Sequence, residues 1–411
     1  SIFENMLKSK SELKIISLYI LLFSVLLFLV NKFFMPGILA SANFLNWDAE
    51  HYSWIKDNGY EGFRVAFFPL FPFFWKLLNV SPPLISIINA SIFFISFYIL
   101  AKQFKPSVPE LILLLSIPGC MFFYLPYTES IFFACSTLIL VGVKQQKLGY
   151  ILTGLFFCTL ARPAFTVFIP ALIIVECFSN GSMKQILQRT GIYLLVCGAG
   201  IVVVGFVQFN DTGEWFKFFA AQKMWGNELQ LPKLPFTSWA GGLIVRLDGT
   251  AMLVGLISGI LLLFFMIRKR ASAIKFFPPE LIFSLAYLSG ITLSVILFRG
   301  GSLFSLNRFV LASAFIFVAV DYYLKQDFKF SVKQILICLL ILMIYWLSFG
   351  SYVHILALLK FALISIYLML FICIKSDNKR ARNYSLLLFS AINFTFQGIF
   401  FFRFLNGEWV G

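Results

Sequence analysis

The sequence predicts an all-α, polytopic membrane protein folded as a single transmembrane domain over residues 1–411. Of its 411 residues, 60% are hydrophobic and only 12% are charged. Apolar runs recur from Leu13 to Phe402 with brief polar interruptions. Such a composition is typical of integral membrane proteins, and no segment the size of a soluble domain remains between the runs.

Apolar length and charge punctuation predict about thirteen transmembrane helices. The first apolar run lacks a small-residue cleavage site after it, so we expect a retained anchor rather than a signal peptide. All seven cysteines fall in apolar segments without paired or metal-like spacing, which predicts small core residues. The expected spans are residues 13–34, 83–101, 109–124, 130–143, 148–161, 164–178, 190–208, 249–267, 281–298, 309–324, 333–349, 353–374 and 384–402.

The net charge of +15 is explained by membrane topology rather than by nucleic-acid binding. Lys and Arg are spread over alternate short connections, which are expected to be cytoplasmic together with the N-terminus. Both histidines, His51 and His354, fall on the other side. The extracytoplasmic side also receives loops 35–82 and 209–248, the turn Tyr124 to Glu129, the link Ala161 to Ala164 and the stretch Arg299 to Arg308.

The first extracytoplasmic loop contains the polar stretch NWDAEHYSWIKDNGYEGFRVAFFPLFP. Asp48 is placed to cap a short helix that Gly59 ends. One side of this amphipathic helix is expected to face the membrane: Trp47, Tyr52, Trp54 and Ile55. Two prolines discourage a straight span over residues 63–78, where we expect Trp75 and Lys76 at headgroup depth.

Asp48 has two interpretations from the residues alone. An exposed helix N-cap contributes on the order of 1 kcal/mol and implies no chemistry. Alternatively, Asp48, Glu50, His51 and Asp57 form an acidic focus at the membrane boundary, and a carboxylate there can deprotonate a hydroxyl group.

Four motifs occur along the chain in a fixed order: WDAEHY with the following GY and AFFPLFP, then PGCMFFYLPYTES, then ARP, then FFAAQKMWG. Their order and residues resemble the PIG-V family of mannosyltransferases, the family of the second mannosyltransferase of GPI-anchor assembly, which has bacterial relatives. Phe71 departs from the Tyr that the family often has. The likeness covers residues 1–325, with outer loops 35–82 and 209–248, whereas residues 326–411 form a more variable set of helices.

The resemblance implies a GT-C-type helical bundle that transfers a sugar, mannose in this family, from a polyprenyl-phosphate carrier. The acceptor hydroxyl would attack with inversion on the extracytoplasmic side. An acidic residue of the first outer loop lies at the catalytic centre of such enzymes, so Asp48 becomes the expected general base. The expected sugar- or acceptor-binding residues are Trp47, His51, Tyr52, Glu129, Gln222 and Trp225.

The leaving phosphate would need cationic donors at headgroup depth, and arginine suits that task by its geometry and permanent charge. Arg308 and Arg162 rank first because each is expected at a helix end, followed by Arg299 and Arg246. The alternative for each arginine is snorkelling to the interface. Glu129 could instead be a favourable first-turn charge worth up to about 1 kcal/mol, and Trp225 a member of an aromatic belt.

No obligatory cofactor is expected, because fixed arginines can balance a monophosphate leaving group. A divalent metal stays possible but not favoured, since three carboxylates share one loop. The expected partners are membrane lipids, the lipid-linked sugar donor and a glycolipid, polysaccharide or protein acceptor. Short loops and the Phe, Ile and Lys bias favour a bacterial plasma membrane.

Two other functions fit parts of the pattern. A transporter or flippase of lipid-linked saccharides would also have many spans, but it is expected to carry internal repeats and polar groups at mid-membrane. A non-catalytic scaffold of GT-C type would bind the lipid-linked sugar without turnover. Conversion of Asp48 to Asn separates a transferase from such a scaffold, because it abolishes transfer in an enzyme and spares binding in a scaffold.

Overall fold

A computed structural model describes residues 2–179, 181–239, 242–270, 277–350 and 355–411, with residues 2–11, 164 and 165 described by their backbone only. This part of the chain is helical and contains no β-strand. Short 3₁₀ or π turns lie at Val30–Phe34, Ser41–Phe44, Gly62–Ala66, Pro118–Tyr124, Pro163–Val167 and Leu347–Phe349. The α-helices are α1 (Ile2–Leu29), α2 (Asp48–Asn58), α3 (Leu70–Leu78), α4 (Pro82–Phe104), α5 (Val108–Ser116), α6 (Glu129–Gln145), α7 (Leu148–Ala161), α8 (Phe168–Phe178), α9 (Met183–Thr212), α10 (Phe218–Met224), α11 (Gly242–Arg270), α12 (Pro279–Phe298), α13 (Leu306–Leu311), α14 (Ala314–Lys325), α15 (Val332–Trp346), α16 (Ile355–Cys373) and α17 (Lys379–Leu405).

Eight helices of the described chain are long and apolar enough to cross a membrane: α1, α4, α9, α11, α12, α15, α16 and α17. A ninth candidate is the bent pair formed by the turn Pro118–Tyr124 and α6. The protein is therefore an integral, multi-pass membrane protein. The predicted count of about thirteen is not confirmed, because helices α5, α7, α8 and α14 are short. Even α7, with 14 residues, rises only about 21 Å at 1.5 Å per residue, against roughly 30 Å of hydrocarbon.

Helix α12 lies at the centre of the bundle and α15 at its edge. Of the apolar window of each helix, 72% is buried in α12 and 11% in α15. Helix α12 packs against α8, α11 and α14, and α6 packs against α4 and α7. The peripheral helices expose apolar side chains such as Leu21, Leu340 and Leu356, as expected for a lipid-facing surface.

The connections predicted to be cytoplasmic contact one another at one end of the bundle. The Lys144 ammonium donates to the Gln103 carbonyl at 2.8 Å, and Lys269 donates to the carbonyl of Cys177 at 2.7 Å. The opposite connections also meet, since the Asn46 amide donates to the Phe404 carbonyl at 2.8 Å. The two predicted sets of connections are thus separated along the bundle axis by its long helices.

The first outer loop forms two helices, α2 and α3. Part of the side of α2 predicted to face the membrane packs inward, whereas Trp54 is 38% exposed. Tyr52 and Ile55 are buried, because α2 covers the end of the bundle and packs on α3. Trp75 is also fully buried in the protein, and its indole donates to the Val80 carbonyl at 2.8 Å. Helix α2 stops where predicted, with Gly59 at φ 81°.

Candidate functional site

The site is built around a break in the helical chain. The chain bends by 110° just before α6. The buried Asn89 amide donates to the carbonyls of Leu125 and Tyr127 at 2.7 and 2.9 Å, and the Gln397 amide donates to two more carbonyls at 2.6 and 2.7 Å. Backbone groups freed inside a membrane protein need such partners. The break therefore begins α6 at Glu129, well inside the bundle.

Four charged side chains from remote parts of the chain meet at this point, and we call them the charged cluster: Asp48, Glu129, Arg162 and Arg308. One carboxylate oxygen of Glu129, Oε1, accepts a hydrogen bond from Arg162 Nη2 at 3.1 Å and another from Arg308 Nε. The Nη1 atom of Arg308 donates to Asp48 Oδ2 at 2.5 Å. Two positive and two negative charges thus compensate one another, which buried charges require.

Asp48 is the accessible member of the charged cluster. Its side chain is 16% exposed, compared with 0% for Glu129, 7% for Arg162 and 5% for Arg308. The prediction that Asp48 caps α2 is wrong, because α2 begins at Asp48 itself and the N-cap position belongs to Trp47. The Asp48 carboxylate instead accepts a charge-assisted hydrogen bond from the buried guanidinium of Arg308.

The backbone of Trp47 takes an uncommon conformation to deliver Asp48 to the cluster. Its φ of 58° and ψ of −126° lie in a region that side chains with a Cβ rarely adopt. Residues held in this way cost on the order of 1–3 kcal/mol and concentrate at functional sites. The conformation is therefore a second reason to regard the start of α2 as functional.

The two arginines of the cluster are held inside the protein rather than snorkelling to the interface. The guanidinium of Arg162 lies over the rings of Phe132 and Phe309, at 5.1 and 4.7 Å from their centroids. The guanidinium of Arg308 lies 4.6 Å from the ring centroid of Tyr127. Aromatic faces stabilise such cations when they are removed from water, so both groups are fixed in direction.

Arg299 lies beside the cluster and is linked to Gln222. Its Nε donates to Asn227 Oδ1 at 2.9 Å, and the Asn227 amide donates to Gln222 Oε1 at 2.7 Å. Its guanidinium stacks 3.7 Å above the ring of Phe304. Burial lowers the pKa of Arg299 to about 10, with opposing attraction from Asp248, so it stays charged at neutral pH. Asn227, which joins the two predicted residues, was not predicted.

His51 of α2 and Trp225 belong to one group of aromatic rings. The His51 ring lies 5.3 Å from Phe63, 5.0 Å from Phe67 and 6.2 Å from Trp225, centroid to centroid. Burial lowers the pKa of His51, with Asp48 opposing the shift. Its Nδ1 atom is buried and has no partner among the described residues. Tyr52, in contrast, is turned into the core.

A cluster of three tryptophans surrounds the start of α2. The ring of Trp47 lies 5.3 Å from Trp239 and 5.1 Å from Trp409, which are themselves 5.2 Å apart. The buried indole N–H groups of Trp47 and Trp409 lack partners in the described part of the protein. Neither Trp239 nor Trp409 was predicted, since both lie far from Trp47 in sequence.

Asp248 is a further acidic residue that the sequence did not single out. It is fully buried, its Oδ2 accepts from the Ser238 hydroxyl at 2.5 Å, and its Oδ1 accepts from the Asn307 backbone and side chain at 2.8 and 2.7 Å. It therefore fixes the residue next to Arg308. The sequence did offer one signal for Asp248, which is a carboxylate directly before an apolar run. Arg246, two residues before Asp248 on α11, is half-buried and makes no ion pair within the described residues.

The described residues contain no group of three or more His, Cys, Asp or Glu side chains that could hold a metal ion. His354 lies outside these residues. Comparison of the chain with protein-family models, with curated proteins and with solved structures finds no match. The family resemblance therefore remains a prediction that rests on the motif residues themselves.

Proposed function

We propose that the protein is a membrane glycosyltransferase that moves a sugar, with mannose as the first candidate, from a polyprenyl-phosphate donor to an acceptor hydroxyl. The observation that carries this proposal is the charged cluster: one accessible carboxylate, Asp48, held beside two buried arginines at one end of a multi-spanning bundle. In this proposal the candidate spans and the short helices α5, α7, α8 and α14 together form a GT-C-type bundle.

Asp48 acts as the general base in the proposed step. The acceptor hydroxyl gives its proton to the Asp48 carboxylate, and its oxygen forms a bond to the anomeric carbon of the donor sugar. The bond from that carbon to the phosphate oxygen breaks, and its electron pair stays on the polyprenyl phosphate. Attack from the opposite face inverts the anomeric centre, and the proton on Asp48 passes to water. The ion pair with Arg308 fixes the position of the Asp48 carboxylate, as proton transfer from a bound hydroxyl requires.

The arginines supply the donors for the leaving phosphate. The charged cluster is neutral as a whole, so Arg299, which has no carboxylate partner among the described side chains, contributes the uncompensated positive charge. Arg308 uses Nε and Nη1 for the two carboxylates, which leaves Nη2 for a ligand. Fixed donors that meet developing charge need little reorganisation during the reaction.

Glu129 has a different role from the direct sugar contact that its motif implied. Because it is fully buried and bonded by both Arg162 and Arg308, we assign it to positioning these guanidinium groups. The rings of Trp225 and His51, and the three tryptophans at the start of α2, offer apolar faces on which a sugar can stack. Gln222 supports Arg299 through Asn227 in this scheme.

The proposed reaction takes place on the extracytoplasmic side, with the N-terminus in the cytoplasm. This orientation is supported by the position of the basic connections at the end of the bundle opposite to the charged cluster. The protein would lie in a bacterial plasma membrane. A resident metal has no part in the proposed step.

Transfer of labelled mannose from polyprenyl-phosphate mannose to a lipid extract, by purified protein with and without EDTA, tests the proposal. We expect a lipid-linked product of inverted anomeric configuration that forms equally with EDTA. Loss of product with EDTA would contradict the metal-independent step. Movement of the donor across vesicles without any transfer would instead support the flippase.

A further inference from the structure

A cavity of about 410 Å³ lies apart from the charged cluster, between the end of α2, the middle of α3 and the end of α9. Its apolar lining includes Pro72, Phe73 and Val207. Its polar lining is rich in charge and amide groups: Lys56, Asp57, Asn58, Lys76, Asn210 and Asp211. None of these polar residues has a part in the proposed transfer step.

The charges of the cavity are balanced in sign. Lys56 pairs with Asp57, and Asp211 Oδ2 accepts from the Tyr60 backbone at 2.8 Å. Lys76 is exposed and makes no ion pair in the part of the chain that the structure describes. Among the described side chains, neither Lys76 nor Asp211 has an ion-pair partner, so a ligand that offers both an anionic group and a cationic, hydrogen-bonding group suits this lining.

The end of α2 closes tightly on α9 at this cavity. A Cβ atom on Gly59 would lie 2.8 Å from Asp211 Oδ2, and the φ of Gly59 is +81°. Both observations favour glycine at this position. This close approach brings Asp211 of α9 next to the end of α2 that carries Lys56. The packing of the two helices therefore places both signs of charge in the cavity.

The cavity also lies at the end of a candidate membrane-spanning helix. Helix α9 is long and apolar enough to span the membrane and ends at Thr212, immediately after Asp211. On α3, Phe73 and Leu77 are exposed, by 45% and 83%, and flank Lys76. Residues four apart share one face of a helix, so an apolar path runs along α3 away from the polar cavity.

We propose that this cavity binds the headgroup of a phospholipid that carries a phosphate and a primary ammonium, as phosphatidylethanolamine does. The phosphate would lie against Lys76 and Lys56, and the ammonium would donate to Asp211 and Asp57. The acyl chains would follow Phe73 and Leu77. Such a lipid ties the loop that carries Asp48 to the bilayer. The proposal does not depend on the transfer reaction.

The chemistry of the lining favours an ethanolamine headgroup over two common alternatives. A choline headgroup carries a positive charge but no N–H to donate to the carboxylates. A glycerol headgroup has hydroxyls but no positive charge to compensate the carboxylate of Asp211. Selectivity for the ethanolamine headgroup over both is therefore the distinctive consequence of the mixed charge.

Native mass spectrometry tests this selectivity. Purified full-length protein is incubated with vesicles of phosphatidylethanolamine, phosphatidylcholine or phosphatidylglycerol with identical acyl chains, and the retained lipid is counted. We expect the ethanolamine lipid to be retained at least fivefold more than either of the others. Lys76→Gln should reduce its retention at least fivefold, whereas Lys102→Gln, an exposed lysine at the other end of the bundle, should not.

Equal retention of the three lipids, or preference for phosphatidylglycerol, would overturn the proposal. Unchanged retention by Lys76→Gln would also overturn it. Because no sugar transfer is measured, a failure here leaves the proposed transferase activity untouched. The thermal midpoints of both variants are measured in parallel, and we expect them to equal the wild-type value since both lysines are exposed.

Discussion

Replacement of Glu129 by Gln removes the one negative charge that two buried arginines share. The substitution keeps the size of the side chain, so no cavity forms. Arg162 then loses its ion pair with Glu129, and Arg308 retains the pair with Asp48. The charged cluster changes from neutral to a net charge of +1 inside the bundle.

The expected loss of stability follows from the burial of the four side chains. Removing one partner of a buried ion pair costs roughly 3–5 kcal/mol, because the other charge is left uncompensated. The Gln oxygen still accepts one hydrogen bond, so we expect about 3 kcal/mol for Glu129→Gln. Asp48→Asn should cost about 1 kcal/mol, since Asp48 is partly exposed and Arg308 keeps Glu129.

A thiol-reactive fluorogenic dye can follow this loss during heating, because Cys120, Cys158 and Cys197 are buried and free. We expect Glu129→Gln to lower the thermal midpoint by roughly 5 °C or more, and by more than Asp48→Asn does. The double variant Glu129→Gln/Arg162→Met removes both charges, and should recover part of the loss. A midpoint equal to wild type for the single variant, or a double variant less stable than the single one, would refute the charge compensation.

The other predictions concern residues around the cluster. Arg308→Lys should reduce transfer roughly 100-fold or more, because one ammonium cannot span both carboxylates and a phosphate; near wild-type kcat would contradict this. Trp239→Ala should raise the acceptor KM about fivefold without changing the thermal midpoint, and Trp239→Phe should restore it; an unchanged KM would exclude stacking. Burial lowers the pKa of His51, so the folded protein favours the neutral imidazole. The stability that the neutral ring contributes to the fold is present above the ordinary pKa of about 6.5 and is lost as the pH falls. His51→Phe should therefore flatten the fall in thermal midpoint below pH 6.5, and an unaltered pH profile would contradict this.

Much of the helical layout could be predicted from sequence, because long apolar runs and basic connections have direct physical causes. The loop helices α2 and α3 follow from polar and proline punctuation. The number of membrane crossings could not be predicted, since α7 and α8 are mostly apolar and their length is what separates them from full spans. The inward packing of Tyr52 and Trp75 also escaped prediction, because a buried side and a lipid-facing side have the same apolar composition.

The charged cluster was partly predictable. Asp48, Arg162 and Arg308 were selected from their positions next to apolar runs and, for Asp48, from its motif. Their mutual contacts depend on the bend before α6, which local sequence does not specify. Asp248 and Trp409 were missed for a related reason: their partners come from distant segments, and neither residue belongs to one of the four motifs.

The central claim is that Asp48 deprotonates the acceptor. It is tested most directly by comparing Asp48→Asn with Glu50→Gln in the transfer assay, while donor binding is measured on the same samples. Glu50 is a matched control, because it is an exposed carboxylate in the same first turn of α2. We predict that Asp48→Asn abolishes transfer but still binds polyprenyl-phosphate mannose, and that Glu50→Gln transfers normally. Undiminished transfer by Asp48→Asn would contradict the assignment of Asp48 as the base.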